Sequence, residues 1–194
     1  MEPISEVSAS SAPSARSAFT ATATDIEAIA RRRGWLPDAI QEGLGENVAE
    51  ARLQWMADAA QLLSPQVNEM PGLERLLERV FEYNAAPLVA RAENQAVLSR
   101  EGARDVLREL ATRILGAPAV DSNRLKEIIA ELKEVTGRRG PELFHPLRLA
   151  LAGCAGEGEN DRVILLLDNA ARLPWAVVVK GCRQRILEFC AVLD

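Results

Sequence analysis

Arg148 is the cation whose setting first points to a task. It stands in the run Gly140-Pro-Glu-Leu-Phe-His-Pro-Leu-Arg-Leu-Ala-Leu-Ala-Gly153. A guanidinium is planar and permanently charged, so its donor fork suits phosphates and base edges. It equally suits bracing helix-end carbonyls or a carboxylate, and both readings stand. Arg138 and Arg139, in the turn before Gly140, are less compensated by neighbouring acids and rank next as polyanion contacts. Arg31, Arg32 and Arg33, followed by Trp35, form either a basic patch with a stacking aromatic or a solvated helix face. Arg100, Arg104 and Arg108 run beside Glu101, Asp105 and Glu109 at the same spacing, which reads as a self-neutralised surface.

Other chemistries find little support. His145 is the chain's single histidine; before Pro146 and without Cys or carboxylate neighbours, it reads as a cap or packing residue rather than a metal ligand. Cysteines 154, 182 and 190 include no C-x-x-C pair, so neither a zinc site nor a disulfide framework is expected. Cys182 and Cys190 read as buried filler, and Cys154, in a Gly-rich turn, as the accessible thiol. No residue pair suggests general acid–base work, and no P-loop or nucleophile elbow is present. The expectation is no catalysis, no metal and no cofactor.

The formal charge is −5, unlike the basic faces of dedicated nucleic-acid binders, although local patches matter more than totals. No apolar run approaches the roughly 20 residues that span a bilayer. The N-terminus has no signal-type segment. Arg16 in an Ala/Ser-rich stretch suggests a transit peptide, but Glu2 and Glu6 argue against it. Reduced thiols then point to the cytoplasm.

The elements that must position these residues are helices. Of 194 residues, 48 % are apolar, 26 % charged and only 4 % aromatic, a mix that favours helix. Residues 1–23, Ser/Ala-rich and poor in large apolar side chains, read as a disordered tail. Ile26, Ile29 and Ala30 mark a helix stopped at Gly34. Leu53, Met56, Ala60 and Leu63 mark a second, ended by Ser64-Pro65. Leu73, Leu76, Leu77, Val80 and Phe81 mark a third. Ser99 can cap a fourth carrying Val106, Leu107, Leu110 and Ile114. Asp121 or Ser122 can cap a fifth, closed by Gly137. A short helix is expected after Pro146, another spans Val163 to Leu167, and the last opens at Pro174, its stripe running from Trp175 through Cys182 to Leu193. The predicted fold is all-α.

The 140–153 run resembles the C-terminal signature of bacterial glutamyl-tRNA synthetases, Pro-Leu-Arg-Val-Ala-Leu-Thr-Gly after a Gly-rich turn. Upstream, Gly34-Trp-Leu-Pro-Asp-Ala39 is similar to the family's Gly-Tyr-Leu-Pro-Glu-Ala. Leu53-Gln-Trp55-Met-Ala57 is similar to Leu-(Asp/Glu)-Trp-Leu-Asn, with Ala57 in place of Asn and the intervening stretch compressed into residues 40–52. The resemblance covers roughly residues 25–194. It implies a helical cage like the anticodon-binding region, with an N-terminal half over residues 24–117 and an anticodon-binding-like half over 118–194.

Three features of the family's anticodon site can be compared. Arg148 matches the Arg of Pro-Leu-Arg. Glu157, Gly158, Glu159 and Asn160 stand where the family has its base-touching Thr-Pro-Gly-(Leu/Ile), putting carboxylates toward RNA. Gly72 stands where the family has an arginine, with Arg75 the nearest substitute. The RNA-binding expectation therefore rests on Arg148, Arg138, Arg139 and Arg75. The family's catalytic His-x-Gly-His and Lys-Met-Ser-Lys motifs are absent, so aminoacylation by this chain alone is not expected. The resemblance implies a stand-alone tRNA-binding module, with tRNA as the partner and tRNA-Glu one candidate species. The alternative is a scaffold that binds a protein partner after losing RNA recognition. A split synthetase needing a catalytic chain is a third reading.

Overall fold

Helix formation begins at Thr22. Its hydroxyl accepts from the Asp25 amide while the Asp25 carboxylate takes the Thr22 amide, so two otherwise unpaired donors of the first turn are satisfied reciprocally. A computed structural model describes residues 19–37, 46–116 and 119–193. The helices are α1 (Ala23–Arg32), α2 (Glu46–Leu63), α3 (Met70–Phe81), α4 (Ala85–Ala90), α5 (Ala92–Leu98), α6 (Ala103–Leu115), α7 (Ser122–Thr136), α8 (Pro141–Ala152), α9 (Glu159–Ala170) and α10 (Cys182–Leu193). No strand occurs among the described residues, and the all-α expectation holds. No described helix is long and apolar enough to cross a membrane.

The core is one contiguous set of buried side chains drawn from all ten helices. Its densest part is aromatic. Trp35 stacks on Phe81 at 4.4 Å, Trp55 meets Phe81 edge-on at 5.7 Å, and Trp175 meets both, at 5.1 and 4.8 Å. The indole N–H groups of Trp55 and Trp175 donate to the Leu166 and Ala170 carbonyls of α9, as buried indoles require. Trp35 is therefore interior, which overturns the reading of it as a surface stacking platform. The preceding arginines are spent on carboxylates: Arg31 on Glu27, Arg32 on Glu74, and Arg33 on Glu74, Glu78 and Glu82.

Five local expectations are corrected. The tail reading extended to residue 23. Residues 1–18 lie outside the described residues, but Phe19 packs on the core, and the buried Ala21 donates its N–H to Ser64 Oγ at 3.0 Å. Leu53 is 54 % exposed, and the buried face of α2 runs instead through Trp55, Met56, Ala59, Ala60 and Leu63. Ser99 ends α5 rather than capping the next helix; α6 starts after Gly102, whose φ of 77° a side chain would strain. α8 starts at Pro141, placing Pro146 inside it, because Gly140-Pro141 supplies the turn and the preset φ one turn earlier.

The fifth correction concerns the last helix. Residues 174–181 are not helical. The β-branched run Val177–Val179 prefers extended backbone, and the Ala176 N–H is held by the Trp35 carbonyl at 2.8 Å. α10 begins where Asp168 receives it: Oδ1 accepts from the Cys182 amide and Oδ2 from the Val120 amide, each at 2.7 Å. A Cβ at Gly181 would stand 2.6 Å from that Oδ1, so only glycine leaves room for the cap.

Asp121, not Ser122, caps α7. Its Oδ1 accepts from the amides of Asn123 and Arg124 at 2.9 and 2.8 Å. Asp121→Ala should cost about 1 kcal/mol. Urea titration should show a lower midpoint at an unchanged slope.

Candidate nucleic-acid interface

α3 sorts its charges onto two ridges. Glu74, Glu78 and Glu82 recur every four residues and turn toward the end of α1, where Arg33 Nη2 lies 3.0 Å from Glu78 and 2.7 Å from Glu82. The Trp35 indole adds a donor to Glu82 at 3.3 Å. Arg75 and Arg79 form the adjacent ridge, which lines a groove of about 520 Å³ between α3, α4, Arg91 and the turn after α8. The Arg79 guanidinium donates to Asn160 Oδ1, a neutral amide that leaves its charge in place. Arg75 and Arg91 are exposed and have no carboxylate at ion-pairing distance among the described residues.

Gly72 is buried against Val67, where a Cβ would come within 3.1 Å of the valine Cβ. Arg75 Nη2 lies 3.8 Å from that same point, so the arginine one turn later reaches back over the glycine.

The two walls of the groove are joined from behind by Arg185. This side chain is wholly buried, and its guanidinium donates to four carbonyls: Arg79 and Val80 at the end of α3, Leu151 at the end of α8, and Lys180. The Tyr83 ring lies 4.5 Å from its Cζ. Burial lowers the Arg185 pKa to about 10, still well above neutrality, so it remains a cation. Tyr83, whose own pKa burial pushes up, donates its hydroxyl proton to the Ala150 carbonyl at 2.6 Å. On the other side of Tyr83, the Glu188 carboxylate accepts from the Ala85 amide and from Lys180.

Arg148 sits beside the groove, 11 % exposed. Nε and Nη2 form a bidentate pair with Asp161 at 2.7 and 2.9 Å, and Nη1 donates to the Gly156 carbonyl at 2.9 Å. The Phe144 ring lies 4.8 Å beneath. The Asp161 bonds raise its pKa. Of its two possible roles, this geometry displays the brace: the guanidinium ties α8 to the first turn of α9 and shapes the intervening turn. Glu157 is exposed, Glu159 opens α9, and Asn160 is buried against Arg79.

The remaining predicted positions lie nearer the start of α8. Arg138 pairs with Glu101 at 2.9 Å and Glu142 at 3.5 Å, and its Nε packs where a Gly102 Cβ would stand. Arg139 is exposed with no such pair among the described residues. Between them and Arg148, His145 Nδ1 faces Arg100 Nη1 at 3.2 Å. Burial, then Arg100 and Arg148, lower the His145 pKa, which favours the neutral ring as acceptor. Only Arg75 of the four predicted arginines lines the groove, together with Arg79 and Arg91, which sequence reasoning passed over. Arg79 had a legible signal, its i, i+4 spacing from Arg75; Arg91 had none. The cysteines are free, Cys182 wholly buried with its thiol pKa pushed up and Cys154 half-buried at the groove. No metal-holding cluster occurs among the described residues.

Comparison with known proteins bears on this arrangement. A family described as "Anticodon binding domain" matches residues 12–156, from ahead of α1 to the groove-lining turn after α8. Glutamate–tRNA ligase of Bacillus mycoides (strain KBAB4) is 29 % identical over 133 residues, 68 % of this chain and 27 % of the ligase. Glutamate–tRNA ligase 2 of Syntrophus aciditrophicus (strain SB) is 25 % identical over 143 residues, 72 % of this chain and 29 % of the ligase. The chain thus spans less than a third of the length of these curated relatives. No solved structure matches significantly. With three quarters of its length matched and Pro-Leu-Arg carried within α8, the chain belongs to the anticodon-binding domain family, and within it resembles glutamate–tRNA ligases.

Proposed function

We propose that this chain is a non-catalytic, cytoplasmic tRNA-binding module. Its relatives are named as glutamate–tRNA ligases, which supports tRNA as the ligand and tRNA-Glu as the first species to try. The observation that carries the reading is Arg75, a guanidinium with no acid partner among the described residues, reaching over Gly72 beside the turn that Arg148 holds. Arg75 and Arg139 are placed to meet phosphates. Arg138 and Arg148 spend most of their donors on carboxylates and act mainly by shaping the two turns of α8. A chain with one histidine cannot build a His-x-Gly-His site, which supports the absence of aminoacylation by this chain alone.

The test is an anisotropy titration of labelled tRNA-Glu and total tRNA at about 50 and 200 mM salt. Micromolar or tighter binding that weakens steeply with salt is expected. No binding at low salt would overturn the reading and favour a protein-binding scaffold. That second reading draws on Asp161 filling the Arg148 fork and on an exposed apolar edge of α10, where Leu187 and Val192 are 49 % and 39 % exposed.

A further inference from the structure

The acidic total of the chain conceals one groove where positive charge is left over. Three carboxylates and three guanidiniums line it, an even balance on paper. Two of the carboxylates, Glu78 and Glu82, are already held from outside the groove by Arg33. Glu93 is the one acid left without a basic partner among the described residues. On the positive side, among the described residues Arg79 donates to a neutral amide, and Arg75 and Arg91 have no hydrogen-bond or ion partner. The one guanidinium of Arg33 offsets only one of the two carboxylates it holds, so the groove keeps a small excess of positive charge, carried on donors that no acid occupies among the described residues.

Its floor is different. Pro87, Gly153 and Ala155 present apolar surface, and Gly153 approaches the buried Leu88 so closely that a Cβ there would stand 3.3 Å from Leu88 Cδ1. A cationic rim over an apolar floor matches a nucleotide, whose phosphate is anionic and whose base is a flat apolar face. A space of about 520 Å³ has the size of sites that enclose small organic ligands. The walls are preformed, because Arg185 fixes the ends of α3 and α8 to each other.

We propose that this groove is the phosphate track of the module: Arg75, Arg79 and Arg91 receive the sugar–phosphate backbone of a single-stranded RNA segment, and Glu93 weakens that grip. The proposal rests on the tRNA reading above. It deepens that reading by joining Arg79 and Arg91 to Arg75 in one groove, and it keeps Arg148, whose fork Asp161 occupies, as a brace.

The experiment measures the affinity of tRNA-Glu across a salt series for the unmodified chain, for Arg75→Gln/Arg91→Gln and for Glu93→Gln. All three altered side chains are exposed and without ion partners among the described residues, so thermal melting should confirm an unchanged fold. The double variant should bind at least tenfold more weakly. The slope of log affinity against log salt should shrink by about 1.5, the loss of two phosphate contacts. Glu93→Gln should bind roughly threefold more tightly, as removal of one exposed like-signed charge allows; a purely structural role for Glu93 predicts no such gain. Binding by the unmodified chain with both variants unchanged would overturn the groove and leave the tRNA reading standing. Weakened binding at an unchanged slope would overturn the phosphate assignment. No binding by any form would overturn the tRNA reading itself.

Discussion

Replacing Arg185 by methionine should lower stability by about 3–5 kcal/mol, enough to bring the melting temperature down by roughly 10 °C in a chain of this size. Exchanging a buried ion pair for apolar residues is often harmless, because both charges leave together. Here the acceptors are backbone carbonyls and cannot leave. Arg79 and Val80 lie in the last turn of α3 and Leu151 in the last turn of α8, where carbonyls have no partner within their own helix. Methionine would keep the apolar stem and strand these oxygens, together with that of Lys180, in a dry interior. Each orphaned acceptor costs about 1–3 kcal/mol, partly offset by not burying the charge. The two helix C-termini also carry partial negative charge that favours a cation. Lysine should restore only part of the loss, since one ammonium cannot reach acceptors spread around a planar fork. Urea or thermal unfolding, followed by circular dichroism, measures the difference.

The same side chain explains why the groove is rigid. Arg185 and Tyr83 between them satisfy the final carbonyls of α8, and Arg185 also those of α3. The distance between Arg79 on one wall and the 152–156 turn on the other is thus set by an interior hydrogen-bond cluster and not by the surface residues themselves. Arg75 and Arg91 are free to vary without disturbing the walls, whereas Arg79 also ties α3 to α9 through Asn160; the brace would contribute to the proposed binding only by holding shape.

Helices with an apolar stripe of 3.6-residue period, such as α3, α6 and α7, were legible because burial of one face determines the pattern. α4 and α5 were not, since helices of 6 and 7 residues are too short to display a period and Pro87 interrupts the reading. In α10 the period ran on through Trp175 and Val178, but Val178 is 79 % exposed and the segment is held extended by Trp35. The candidate interface was legible only in part. Glu74-Arg75 and Glu78-Arg79 look self-neutralising along the sequence. That the acids belong to Arg32 and Arg33, more than forty residues earlier, is a tertiary fact. Asp161 lies 13 residues after Arg148, beyond any local pairing rule, so the occupied fork could not be read from spacing. Arg185 did leave a sign: it falls beside Cys182, Ile186 and Phe189 on a stripe that is otherwise apolar.

Phe81→Ala should destabilise the chain by about 3–5 kcal/mol, the range for emptying a buried aromatic site. Phe81 is the common neighbour of Trp35, Trp55 and Trp175, so its removal breaks three ring contacts, each worth about 0.5–1.5 kcal/mol beyond area burial. Collapse cannot refill the space cheaply. The Trp55 and Trp175 indoles are tied to α9 carbonyls, Trp35 is tied to Glu82, and moving any ring would break a hydrogen bond. The residue also ends α3, one position from the carbonyl that Arg185 holds at Val80. Loss of packing should therefore reach the groove, weakening the RNA binding proposed for it in a variant whose surface charges are all intact. Tryptophan fluorescence offers a direct readout, because all three of the chain's tryptophans meet at this one side chain. A red-shifted emission together with a lowered unfolding midpoint is the expected result. A loss below about 1 kcal/mol would mean that the three indoles hold their positions without it, and that α1, α2 and α9 are joined by the aliphatic core alone.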